Sequence, residues 1–136
     1  MQNKAADQHQ GQVFAYSHHR DEDFKGGLRP NARYRDLGFA KATNGAAVAH
    51  VIRFQPPCTD EIRAWHVHDV EFQMVYVLKG WVEPQMEGHE PIRMVAGSSW
   101  IQPPMIRHRV MNYSDDCELL EIVLPADFAT ELCDAP

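Results

Sequence analysis

The sequence predicts an all-β sandwich or barrel, on three observations. Short apolar and β-branched segments recur at intervals of about ten residues from residue 33 onward. Turn chemistry separates them at Gly80, Gly88, Ala96-Gly97, Pro103-Pro104 and Ser114 to Asp116. Helical periodicity is absent until "PADFATELCDAP", where the pattern allows a single helical turn. At 136 residues the chain fits one domain that can bury a core without disulfides or a structural metal.

Taken in order, Met1 to Gln12 has almost nothing to bury, and the segment up to Pro30 scatters Phe14, Tyr16 and Phe24 among charges. Residues 1–30 therefore read as a flexible N-terminal arm, and 31–136 as a single β domain. "ARYRDLGFA" is a strand pattern broken at Gly38, and "GAAVAHVIRF" is bounded by Asn44-Gly45 and Pro56-Pro57. The strands "EFQMVYVLK", "WVEPQM", "PIRMV", "SSWIQ", "RHRVMNY" and "CELLEIVL" follow. In the first of these, Gln73, Val75 and Val77 alternate with Phe72, Met74, Tyr76 and Leu78, so both faces are largely apolar. A strand with one face in water should alternate with polar residues. One face lines the interior and the other needs cover, from the arm or from a second chain, and a homodimer is expected.

A net charge of −6, with no long run of either sign, excludes nucleic acid or an anionic membrane surface as the main partner. Three cysteines, Cys58, Cys117 and Cys133, without CxxC spacing, read as reduced thiols. No apolar stretch approaches the roughly 18 residues of a membrane span. The first thirty residues lack a signal-peptide pattern, so a cytoplasmic protein is expected.

The chemistry sits in "WHVHDVEFQMVYVLKG". His66 and His68 are two apart and project to one face of an extended strand. A bend at Asp69-Val70 must follow, because five residues separate His68 from Gln73. His108 opens a later strand. Three histidines from two β segments, with one further oxygen donor, would make a half-open site for Fe, Ni, Cu, Zn or Mn without a thiolate. Glu71 and Gln73 both offer that oxygen.

These residues resemble the motifs of the cupin superfamily. In the first motif, HxH is followed by Glu and then Gly; here the frame is His66, His68, Gln73 and Gly80. "GSSWIQPPMIRHRVMN" resembles the second, with Gly97, Pro103, His108 and Asn112 in register. The resemblance implies a double-stranded β-helix of the jelly-roll type, a small single-domain cupin barrel that is usually dimeric. It also implies one divalent transition metal (Fe, Mn, Ni or Zn) on His66, His68, Gln73 and His108. Asp60 and Met105 stand where glycines are usual, and Gln73 stands where the motif has an acid. A neutral amide oxygen leaves the metal one more unit of positive charge than a carboxylate would, and removes a possible base.

The function expected is a metalloenzyme acting on a small oxygenated organic molecule, of dioxygenase or sugar/keto-acid isomerase type. The alternative is a non-catalytic cupin that binds or senses a small ligand. His50, Arg53, Tyr76 and Trp100 are candidate substrate contacts. Arg53 is the first choice for an anion, although residues 50 and 53 have opposite strand parity.

Overall fold

Two antiparallel sheets face each other in this computed structural model, which describes residues 8–26 and 29–136. Expectations for residues 1–7 and 27–28 lie outside the described residues. The strands are β1 Lys25–Gly26, β2 Ala32–Asp36, β3 Val48–Phe54, β4 His66–Asp69, β5 Phe72–Lys79 and β6 Trp81–Met86. They continue as β7 Met94–Val95, β8 Ser99–Ile101, β9 His108–Tyr113, β10 Glu118–Leu124 and β11 Ala129–Leu132. One sheet has the order β1-β2-β3-β10-β5-β8 and the other β11-β4-β9-β6-β7.

Period-two alternation fixes which side chains meet between the sheets. Gln73, Val75 and Val77 of β5 are at most 3% exposed, while Phe72, Tyr76 and Leu78 on the other face are 36–45% exposed. Val82, Val110, Tyr113, Cys117 and Leu119 join Phe54 and Ile62 in the apolar core, where Phe54 stacks on Tyr113 at 4.6 Å between centroids. The exposed outer face of β5 is not covered by the arm's aromatics, since Phe14 and Tyr16 are themselves 88% and 73% exposed. Phe24, by contrast, is buried beside Arg53.

Two local expectations are corrected. The stretch after Gly38 is not strand but a single-turn helix, α1 (Phe39–Ala42). Gly38 takes φ 84, a left-handed value that suits glycine, and its N–H donates to Asp36 Oδ1 at 2.9 Å. That turn re-aims the chain, and Thr43 Oγ1 donates to Phe39 O at 2.7 Å. The expected C-terminal helical turn is instead β11, paired with β4 so that Thr130 lies opposite His68 and Leu132 opposite His66. Phe128, Thr130 and Leu132 alternate onto the same cavity, a period of two that the short polar segment carries weakly.

Candidate metal centre

The bend required after His68 separates the two sheets. His66 and His68 lie on β4, and Gln73 is the second residue of β5 in the opposite sheet. His66 is the direct cross-strand partner of His108 on β9. The ring centroids of His66 and His108 are 4.1 Å apart, and those of His68 and His108 are 4.9 Å apart. One ring nitrogen from each of the three lies within 4.8 Å of the others.

Backbone acceptors set the tautomers. His66 Nδ1 donates to Ala64 O at 3.0 Å and His108 Nδ1 to Ile106 O at 2.9 Å, which leaves both Nε2 atoms as lone-pair donors to a cation. His68 Nδ1 is 2.7 Å from Thr130 Oγ1, so its Nε2 is likewise uncommitted. The buried Gln102 amide donates from Nε2 to His108 Nε2 at 2.9 Å, and its Oε1 accepts the Trp100 indole N–H at 3.2 Å. That N–H would yield its place to a cation on the same lone pair.

Gln73 is 1% exposed. Its Nε2 donates to Glu121 Oε2 at 3.0 Å, while its Oε1 is buried with no hydrogen-bond partner. A buried orphan carbonyl costs about 1–3 kcal/mol, so this oxygen calls for an electrophile. The other oxygen of Glu121 accepts from His50 Nε2 at 2.7 Å. Register produces the set: His50 is directly opposite Glu121 across β3 and β10, and Gln73 is its diagonal neighbour across β10 and β5. The amide therefore donates to Glu121 and still has its oxygen free. A glutamate at 73 would face the Glu121 carboxylate, and two buried like charges repel.

Burial pushes His66 down to about 4 from the usual 6.5, and burial together with the charge of His66 pushes His108 down to about 3. Burial also lowers His68. All three imidazoles are therefore neutral at pH 7, the form that ligates a metal. Burial would raise Glu121, but the hydrogen bond and charge of His50 and the hydrogen bond from Gln73 outweigh it, and its carboxyl falls below the usual 4.5. These three neutral histidines, with the orphan amide oxygen, fit a divalent transition metal.

A pH dependence follows with a definite sign. The unfolded histidines protonate near 6.5, whereas folded His66 and His108 resist protonation until about 4 and 3. Their contribution is complete above pH 6.5 and is lost as the pH falls toward 4, by up to about 1.4 kcal/mol per pH unit for each histidine. Chemical denaturation of metal-free protein between pH 7 and 4 checks this, and a flat profile would contradict it.

A cavity of about 490 Å³ opens onto His66 and His68, lined also by Arg29, Tyr34, His50 and Glu121 among others. Of the candidate substrate contacts it takes His50 and leaves out the other three. Arg53 has the opposite parity, faces outward over the Phe24 ring at 3.9 Å and reaches Glu118 at 3.3 Å. Tyr76 lies on the exposed outer face of β5. Trp100 packs against the core and touches the site only through Gln102. Met105 adopts φ 62, a left-handed value unfavourable for its side chain, and its N–H donates to His68 O at 3.0 Å. Asp60 has no positive φ and is paired with Arg63 at 3.1 Å.

Glu121 and Arg29 were not among the sequence candidates. Glu121 had a signal: a charge in the middle of an apolar strand, with the parity of buried Leu119 and Val123. Arg29 had none, because it comes from an irregular segment without period.

The family model described as Cupin domain matches residues 51–123. The chain belongs to the Cupin domain family. No curated relative matches. Among solved structures, this cupin is similar to KdgF from Halomonas sp. at 18% identity, covering 83% of this chain and 94% of that one, with a TM-score of 0.67. It is similar to a protein with a double-stranded β-helix domain from Klebsiella pneumoniae subsp. pneumoniae MGH 78578, at 19% identity, 85% and 94% coverage and a TM-score of 0.61. It is also similar to salicylate 1,2-dioxygenase from Pseudoaminobacter salicylatoxidans, at 12% identity and a TM-score of 0.62, covering 82% of this chain but only 31% of that one. These likenesses make the two sheets a cupin double-stranded β-helix.

Proposed function

We propose that this cupin is a metal-dependent enzyme that moves a proton on a small oxygenated organic molecule, closer to an isomerase than to a dioxygenase. The observation that carries the reading is the Glu121 carboxylate. It lines the cavity beside the triad, is held by His50 and Gln73, and is shifted toward the ionised form. A site with histidines and a neutral amide alone would bind; a positioned carboxylate supplies the general base that was missing from the motifs.

His66, His68, His108 and the Gln73 oxygen would hold one divalent transition metal, with Fe, Mn, Ni and Zn all suited to the donor set. When bound, that metal supplies Lewis-acid polarisation of a substrate oxygen. Glu121 would accept the proton from the carbon adjacent to the carbonyl carbon and return it to the neighbouring carbon, so that the isomerisation consumes no proton. His50, hydrogen-bonded to Glu121 Oε1 at 2.7 Å, keeps the carboxylate in place. The Tyr34 hydroxyl, pushed up to about 12 mainly by burial, stays protonated at neutral pH, and Tyr34 lines the same cavity. Ile52 and Phe128 line its apolar wall, with Leu132, 80% exposed, on the same lining.

The test is deuterium exchange. Metal-loaded protein in D2O, given ketones, 2-oxo acids and unsaturated uronates in turn, is expected to place deuterium beside the carbonyl of at least one of them. Glu121→Gln is expected to lower that rate by about 100-fold or more. Binding without exchange or turnover in the wild type would favour the alternative of a ligand-binding or sensing cupin, and oxygen uptake in place of exchange would favour a dioxygenase.

The homodimer is part of the same proposal. Phe72, Tyr76, Leu78 and Ile101 leave an apolar outer face 36–63% exposed across β5 and β8, which supports coverage by a second copy. The three cysteines are unpaired, which supports a reducing, cytoplasmic setting. Among the described residues no helix is long and apolar enough to cross a membrane.

A further inference from the structure

The cavity has one permanent cation among its described lining residues, and that cation lacks a carboxylate partner. Arg29 donates from Nη2 to Ile62 O at 3.3 Å and lies 6.0 Å from the Phe54 ring centroid. Among the described residues no ion pair involves it, whereas Arg20, Arg53, Arg63 and Arg93 are all paired. The Glu121 carboxylate, on the same cavity, is committed to His50 and Gln73. Glu61, the other acid of the lining, is exposed.

Arg29 is placed at the site by the cavity itself, whose lining holds Arg29 and Tyr34 together with His50, His66, His68 and Glu121. Among the described lining residues stand one cation, Arg29, and two acids, Glu61 and Glu121, so a positive surplus arises only once a divalent metal is bound. Three neutral imidazoles and a neutral amide would leave both charges of a divalent metal uncompensated, and Glu121 offsets only one unit. With Arg29 added, the loaded cavity has a surplus of positive charge that an anionic ligand would neutralise. The planar guanidinium matches a carboxylate through paired N–H donors, and the protonated Tyr34 hydroxyl adds a further donor.

We propose that Arg29 and Tyr34 form the carboxylate subsite of this cavity. The ligand is a small organic acid whose carboxylate they hold while a second oxygen, on a nearby carbon, reaches the His66, His68 and His108 centre. This rests on the metal-centre reading above and narrows its substrate class from oxygenated molecules to carboxylic acids with a neighbouring hydroxyl or carbonyl. It replaces Arg53, which faces the other side of its sheet.

The experiment uses matched acid and amide pairs on the zinc-loaded full chain: pyruvate and pyruvamide, mandelate and mandelamide, salicylate and salicylamide. Zinc content is measured first, then affinity by calorimetry. At least one acid is expected to bind about tenfold or more tighter than its amide, the difference worth one charge-assisted recognition. In Arg29→Gln that preference should fall to about threefold or less with zinc content unchanged, and Arg29→Lys, which keeps the charge but not the fork, should fall between. An undiminished preference in Arg29→Gln overturns the subsite while leaving the metal centre standing. So does a wild type in which no acid outbinds its amide. A wild type that takes up no zinc overturns both. If Arg29→Gln loses zinc or folds poorly, Arg29→Lys decides alone: a preference equal to wild type counts against the subsite, and a reduced one supports it.

Discussion

His108→Ala is expected to remove the metal and the stability that depends on it. His108 is 5% exposed, pairs directly with His66 across β4 and β9, and sends Nε2 toward the other two imidazoles. Without it the triad becomes two ligands on one short strand, with the amide oxygen on the opposite sheet. A metal present at about one hundred times its Kd stabilises the fold by about 2.7 kcal/mol. For a chain of this size that is roughly 10 °C in Tm. The wild type should lose that increment on adding chelator, and His108→Ala should show none to lose. The variant also strands two buried groups, Ile106 O and the Gln102 amide, so its metal-free Tm should fall as well. Thermal melts of both proteins with metal and with chelator give the comparison. A chelator-sensitive increment of wild-type size in His108→Ala would show that the metal sits elsewhere.

Gly80→Ala is expected to cost about 3 kcal/mol or more, the largest effect of an added methyl among the described glycines. Gly80 turns the chain from β5 into β6 at φ +68. An added Cβ would overlap Ser114 Oγ, lie 2.5 Å from Asp116 Oδ1 and press at 3.2 Å on the Cys117 backbone. Ser114 has little freedom to withdraw, because its Oγ accepts the Trp81 N–H at 2.9 Å. Gly88 is the internal control. It has φ +79 and nothing within 4 Å of an added Cβ, so Gly88→Ala should cost only the backbone strain, about 1–2 kcal/mol. Urea denaturation of the two variants separates clash from strain, and equal losses would contradict the packing argument.

Most of the β architecture was legible because strand alternation and turn residues are local signals. The turns at Gly80, Gly88 and Gly97 all take positive φ. Parity also exposed the bend after His68, whereas the placing of β4 and β5 in opposite sheets is visible only in the fold. Met105 was marked by its place in the motif, and its φ of 62 bears out the turn geometry that a glycine would favour. Illegible were features that depend on register between distant strands. Nothing near Gln73 says that its amide meets a carboxylate 48 residues on. The polarity of that amide, N–H to Glu121 and oxygen left over, arises only when β10 aligns β3 and β5 on its two sides. Arg53 was misplaced for the reason its parity had already given, and β11 was hidden because four exposed residues carry little pattern.

Elemental analysis of protein purified without added metal, at neutral pH, bears most directly on the centre proposed for His66, His68, His108 and the Gln73 oxygen. About one transition-metal ion per chain is expected, removed by chelator with a fall in Tm and missing from His108→Ala. Substoichiometric metal that cannot be restored by reconstitution, together with a Tm indifferent to chelator, would contradict the centre and leave a cupin barrel whose histidines only pack.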